Sequence, residues 1–186
     1  MATAKDVLRE LEHKLKKTVE ATSREFLTIR TGRAHSSLVE GVMVECYGTT
    51  MPIKQLATIS TPEPRLIVIQ PWDRSVLQDI EKAILKSELG ITPTNDGKII
   101  RISIPPLTQE RREELKKVIK KISDDGKVSL RTARRVANED IEKLERDKVI
   151  TEDEKFKYKD EIQKLIDRYS EEIDNLLSAK EKEIFL

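Results

Sequence analysis

Apolar residues recur every three or four positions at both ends of this chain and roughly every two in its middle. The ends therefore read as helix and the middle as sheet. Over residues 3–30 the inward positions are Leu8, Leu11, Leu15, Val19, Thr22, Phe26 and Ile29, a single helical stripe. Over residues 108–148 they are Leu115, Ile119, Ile122, Leu130, Ala133, Ala137, Ile141 and Leu144. A third stripe, Tyr158, Ile162, Leu165, Tyr169, Ile173 and Leu176, runs through residues 152–185 and is preceded by "TEDE". There the Thr151 hydroxyl can accept from the backbone of Glu154, whose carboxylate reaches back to the cap. Few residues separate the last two helices, which predicts an antiparallel hairpin. A hairpin with one-sided stripes needs a third partner, and the N-terminal helix supplies it. The expectation is a three-helix bundle.

Between residues 31 and 104 the period shortens. "VMVECYG" alternates Val42, Val44 and Cys46 against Met43, Glu45 and Tyr47 and ends at a Gly turn. "RLIVIQPW" is an apolar run bounded by Pro64 and Pro71, the pattern of a buried strand. Asp73 can cap a helix carrying Val76, Leu77, Ile80 and Ile84 that stops at Gly90. "NDG" then turns into "KIIRISI", with Ile100, Ile102 and Ile104 on one face. This predicts an α+β protein: a bundle formed by residues 1–30 and 105–186, and a small inserted α/β domain over residues 31–104. Two stretches of chain cross between them, "RTGRA" outward and "IPPLT" back. Gly32 gives backbone freedom and Pro105 and Pro106 keep the return extended, so Thr31, Gly32, Arg33, Ile104, Pro105 and Pro106 are the expected hinge.

Composition narrows the function. Charged residues make up 37% of the 186 and aromatics 4%, which suits long amphipathic helices with narrow seams. A single cysteine, Cys46, leaves no internal disulfide framework and no Cys-rich zinc site. The charged N-terminus does not read as a secretory signal, and no apolar run nears the ~20 residues of a membrane span. A soluble, cytoplasmic protein is expected.

The net charge of +1 hides segregation along the chain. Residues 111–135 carry ten Lys/Arg against four Asp/Glu; residues 139–186 carry ten against sixteen. Within the basic block, Arg131, Arg134, Arg135 and Asn138 fall at i, i+3, i+4 and i+7 on one helix face. Lys116, Lys120 and Lys127 project into the same sector, giving a stripe about 30 Å long at ~1.5 Å per residue. Glu113 and Asp124 interrupt it. A solvated face explains many such runs. Three crowded arginines with few acids at i±4 repel one another unless an anion lies between them, and their planar forks suit phosphate. That favours a nucleic-acid backbone contact that reads no bases. Arg30 and Arg33 flank Gly32; they either extend this contact or merely border the bend. Arg111 and Arg112 lie near the positive end of their helix, offset by Glu110, Glu113 and Glu114.

Catalytic and metal constellations are missing. His13 lies on the charged side of the first helix, His35 has no nucleophile arranged around it, and Cys46 reads as a buried thiol. "TNDGK" is a hairpin turn, not a phosphate loop. The chain is expected to be no enzyme and to need no cofactor.

With these features in place, the sequence resembles the ribosome recycling factor family. The residues that carry the resemblance are "IRTGRA" (29–34), "YG" (47–48), "LGITPTNDG" (89–97), "IRISIPPLTQERREEL" (100–115) and "ARRVAN" (133–138), spread over essentially the whole chain. The resemblance implies a hinged L-shaped protein that binds the ribosome after peptide release. Its bundle would lie on large-subunit ribosomal RNA, and elongation factor G with GTP would drive the subunits apart. It implies that Arg131, Arg134 and Arg135 contact RNA, with Arg30 and Arg33 matching the family's "RTGR" pair. No membrane is implied, and a monomer is expected. Three positions depart from the family pattern: Cys46 where an aromatic is common, Ser36 where proline is common, and Val136 where an acid is common. A helical RNA-binding arm without a motor partner, and a scaffold using the acidic last helix, are the rival readings.

Overall fold

Thr3 starts the first helix by bonding the backbone of Asp6, while the Asp6 carboxylate accepts from the backbone of Thr3. This reciprocal cap opens α1, Ala4–Thr28. The computed structural model describes residues 3–185. After α1 come α2 (Ser37–Glu40), β1 (Met43–Cys46), β2 (Thr49–Pro52), β3 (Ala57–Glu63), β4 (Leu66–Pro71), α3 (Leu77–Lys86), β5 (Pro93–Asn95), β6 (Ile100–Ser103), α4 (Gln109–Arg146) and α5 (Glu152–Phe185). They fall into two compact units. One takes the chain up to Thr31 together with Gln109–Phe185; the other is Gly32–Thr108.

The first unit is α1, α4 and α5 packed on one another. Leu11 and Leu15 of α1, Leu130 and Ile141 of α4, and Ile162, Ile166 and Ile173 of α5 fill its centre. Thr151 and Glu154 make the expected box at the start of α5, with the threonine hydroxyl 3.2 Å from the Glu154 nitrogen. Two details differ from the stripes read above. On α5 it is Ile166 that is buried, while Leu165 is only half-buried. On α4 the step between Ile119 and Leu130 is filled by Ser123 and Gly126, both buried, and Ile122 is half-buried. Small residues are needed there because α1 comes close: a Cβ on Gly126 would lie 2.7 Å from Thr22 Oγ1 and 3.2 Å from Ile173 Cδ1.

In the second unit β1 and β2 form a hairpin, Met43 opposite Pro52 and Cys46 opposite Thr49. Tyr47 and Gly48 make its turn with φ of 51° and 71°, the left-handed pair that matches strand twist. A four-stranded sheet runs in the order β3-β4-β6-β5, antiparallel throughout. Ile67 and Ile69 of β4 face Ile102 and Ile100 of β6, and all four are fully buried. Asn95 and Asp96 build the turn into β6 by accepting from the backbone of Gly97, Lys98 and Ile99. Asp73 caps a short 3₁₀ turn, Arg74–Val76, that leads into α3. This helix ends at Lys86, short of Gly90, where the Ser87 hydroxyl donates to the Ile84 carbonyl.

Candidate nucleic-acid interface

Because α4 is a single 38-residue helix, one sector of it can carry every basic residue of the stripe. The apolar side of α4 is held by α1 and α5, which leaves the basic sector beside the seam and open to solvent. Arg131, Arg135, Lys116 and Lys120 are exposed; Lys127, Arg134 and Asn138 are half-buried. Arg131, Thr132, Arg134, Arg135, Asn138, Glu139 and Glu142 line one shallow hollow of about 510 Å³.

The charges in this sector are not equivalent. Arg131 and Lys120 make no side-chain hydrogen bond or ion pair among the described residues. Arg134 Nη1 donates to Gln163 Oε1 of α5 at 3.1 Å, which orients the guanidinium without neutralising it. Arg135 Nη1 lies 2.8 Å from Glu139 Oε1, one turn on. Lys127 Nζ lies 2.5 Å from Asp174 of α5. The Lys116 ammonium sits 5.8 Å from the centre of the Phe185 ring. The sequence offered few acids at i±4, yet Glu139 is one, and Asp174 arrives from another helix. Glu142 is occupied by Lys159 at 2.5 Å, which lowers its pKa, first through that hydrogen bond and then through the lysine's charge.

The expected hinge residues divide between the units. Thr31 is buried and donates to Glu183 Oε2 of α5 at 3.3 Å; Lys180, itself buried, reaches the same oxygen at 3.0 Å. Gly32 has φ of 73°, and a Cβ there would lie 3.0 Å from Leu107 Cγ. The Ile104 nitrogen donates to the Arg65 carbonyl at 2.8 Å, tying Ile104 to the sheet unit; Pro105 and Pro106 are exposed. Arg30 belongs to the first unit and Arg33 to the second, both exposed.

Elsewhere the groups with chemical potential are spoken for. Cys46 is buried in β1, and His13 and His35 are exposed in different units. The Tyr47 hydroxyl donates to the Asp73 carboxylate, holding that acid below its usual range and raising the phenol. This contact pins the β1–β2 turn to the start of the helical segment. Among the described residues no three His, Cys, Asp or Glu side chains gather as metal ligands, and no helix is long and apolar enough to cross a membrane. Sequence reasoning missed Gln163, Glu139 and Asp174 as partners of the stripe. Glu139 alone left a readable signal, its i+4 spacing from Arg135.

Comparison with known proteins decides the family. The family model described as ribosome recycling factor matches residues 22–185. The chain belongs to the ribosome recycling factor family. A ribosome-recycling factor of Carboxydothermus hydrogenoformans is 58% identical over 179 residues, covering 96% of this chain and 97% of the relative. One from Geobacillus thermodenitrificans is 53% identical over 181 residues, with 97% and 98% covered. A solution structure of the ribosome recycling factor aligns with a TM-score of 0.74 at 47% identity, covering all of this chain and 98% of the other. A second structure, of the T. thermophilus ribosome recycling factor with E. coli elongation factor G on the E. coli post-termination complex, aligns at 0.65 and 38% identity, covering 98% and 99%. The fold class is accordingly that of recycling factors, a long helical part with a small sheet domain.

Proposed function

We propose that the chain recycles ribosomes: it binds the post-termination ribosome and, with elongation factor G and GTP, promotes separation of the subunits. The likeness to a recycling factor bound to such a complex with elongation factor G supports both partners. The observation that carries the anchoring step is the hollow of Arg131, Arg134 and Arg135 on α4, where among the described residues one guanidinium has no partner and another only a neutral one. Such cations meet the phosphates of large-subunit ribosomal RNA, position the bundle and read no sequence. Lys116 and Lys120 continue the contact along α4, Lys127 adds least because Asp174 holds it, and Arg30 extends it beside the crossing. Arg33, on the second unit, is assigned to RNA met by that unit.

The domain division and the hinge are part of the same proposal. A bundle of residues 1–30 and 105–186 anchors, the inserted domain of residues 31–104 receives the push, and Thr31 to Arg33 with Ile104 to Pro106 bend between them. The chain itself does no covalent chemistry; energy comes from the nucleotide on elongation factor G. It works in the cytoplasm as a monomer.

The test is binding to vacant ribosomes across a salt series, for the native chain and for Arg131→Ala/Arg134→Ala/Arg135→Ala. Each phosphate contact contributes about 0.7–0.9 to the slope of log affinity against log salt, so the triple variant should lose roughly two units of slope. Native-like affinity and slope would make the hollow a solvated surface. Subunit splitting with elongation factor G then separates recycling from plain RNA binding, for which the second domain has no task.

A further inference from the structure

Three guanidinium groups explain affinity for phosphate, but they cannot tell RNA from DNA. The hollow on α4 holds four further side chains with an acceptor oxygen, and three of them already make a hydrogen bond within the protein. Thr132 donates its hydroxyl to the Val128 carbonyl, Glu139 holds Arg135, and Glu142 holds Lys159. Asn138 is the fourth. Its Oδ1 is buried and accepts no hydrogen bond from the described residues. It sits four residues from Arg134 and three from Arg135, on the same face.

A buried acceptor without a donor is destabilising, so its place beside a cation cluster asks for a partner. Phosphate cannot be that partner, because its oxygens carry no hydrogen at neutral pH and the carbonyl needs a donor. The backbone of RNA supplies one beside every phosphate, the ribose 2′-hydroxyl, which is what distinguishes it from DNA. The terminal torsion of asparagine is broad and roughly two-fold, so a half-turn presents the oxygen to the hollow and puts the amide nitrogen in the buried place.

We infer that Asn138 is the RNA-selective residue of this face, accepting from a ribose 2′-hydroxyl while Arg131, Arg134 and Arg135 hold the flanking phosphates. The inference rests on the phosphate reading of the hollow and adds a ribose contact to it. Asn138 thus sets specificity for RNA, and the arginines set affinity and salt dependence.

The experiment compares the native chain, Asn138→Ala and the triple arginine variant, binding an RNA duplex and the DNA duplex of the same sequence at low salt and across a salt series. The native chain should prefer RNA by about two- to tenfold, the range of one neutral hydrogen bond. Asn138→Ala should lose that preference with its salt slope unchanged, and should lose a similar factor on vacant ribosomes. Its thermal midpoint should stay level or rise, because the orphaned acceptor is gone and alanine favours helix. A native chain with no RNA preference, or an Asn138→Ala variant that keeps it, overturns the inference. So does a variant whose slope falls, since Asn138 would then act only by placing the arginines. If the triple variant keeps its slope, the phosphate reading fails instead, and the two failures are told apart.

Discussion

Replacing Glu139 by glutamine removes the carboxylate that holds Arg135 of the hollow, at 2.8 Å from its Nη1. Both side chains are more than half exposed, 66% and 57%, so the native ion pair contributes only about 0–1 kcal/mol to stability and its loss should move the melt little. The effect on RNA is larger. A phosphate gripped by Arg135 lies about 6 Å from the Glu139 carboxylate; at an effective dielectric of about 40–80 the repulsion is about 0.7–1.4 kcal/mol. Glu139→Gln should therefore bind vacant ribosomes about three- to tenfold more tightly at low salt. The gain should shrink toward ~1 M salt, where the Debye length is about 3 Å. The slope of log affinity against log salt should steepen by up to about one unit, because Arg135 then meets phosphate without first giving up a partner. Filter binding or light scattering over a salt series measures both. Unchanged affinity and slope would refute the reasoning, since Arg135 could not then be facing phosphate.

Two further outcomes concern the bundle itself. Gly126→Ala should destabilise the protein by about 1–3 kcal/mol in urea unfolding, because its Cβ would fall 2.7 Å from Thr22 Oγ1. An exposed helix position would instead gain about 1 kcal/mol from the same change, so the sign decides, and Thr22→Ala should relieve the clash. Glu12 is held below its ordinary value of 4.5, first by the Arg168 guanidinium at 2.5 Å and then by the Tyr169 hydroxyl at 3.1 Å. A depressed carboxylate stabilises the fold above its unfolded pKa and stops doing so as pH falls through the folded one. The native chain's advantage over Glu12→Gln in urea midpoint should be full at neutral pH and fade below about 4.5; a constant difference would contradict the assignment.

The three long helices were legible because their stripes repeat over about five to eight turns and because Thr151 and Glu154 announce a start. β4 and β6 were legible because Ile67, Ile69, Ile100 and Ile102 line the one fully buried face of their strands. β3 was not read, since "ATISTPE" is polar and exposed over most of its length and lies at the edge of the sheet. β2 and β5 escaped for a related reason: each is short and contains a proline, which sheets accept at an edge or an end. The expected hinge position Ile104 proved tied to Arg65, a cross-strand bond that no local pattern announces. The arginine face was readable from spacing alone, but not the inequality of its members. That depends on Gln163 and Asp174, brought from α5 by the packing of two helices.

This inequality changes how large the proposed anchoring site is. The sequence suggests an even stripe from Lys116 to Arg135, facing a last helix of opposite charge. In the folded unit Asp174 of α5 takes up Lys127, while Lys159 and Lys155 of α5 pair the other way, with Glu142 and Glu145 of α4. A half-buried, paired lysine such as Lys127 gains little by leaving its carboxylate for a phosphate, since it exchanges one anion for another. Arg131, with no partner among the described residues, and Arg134, held there only by a neutral amide, carry undiminished charge. The positive potential thus concentrates in the hollow at one stretch of α4, with Lys120 and Lys116 as outlying contacts. In the proposed function, a small, preoriented cation cluster fixes where RNA sits along the helix. An even stripe of mobile lysines would let it slide.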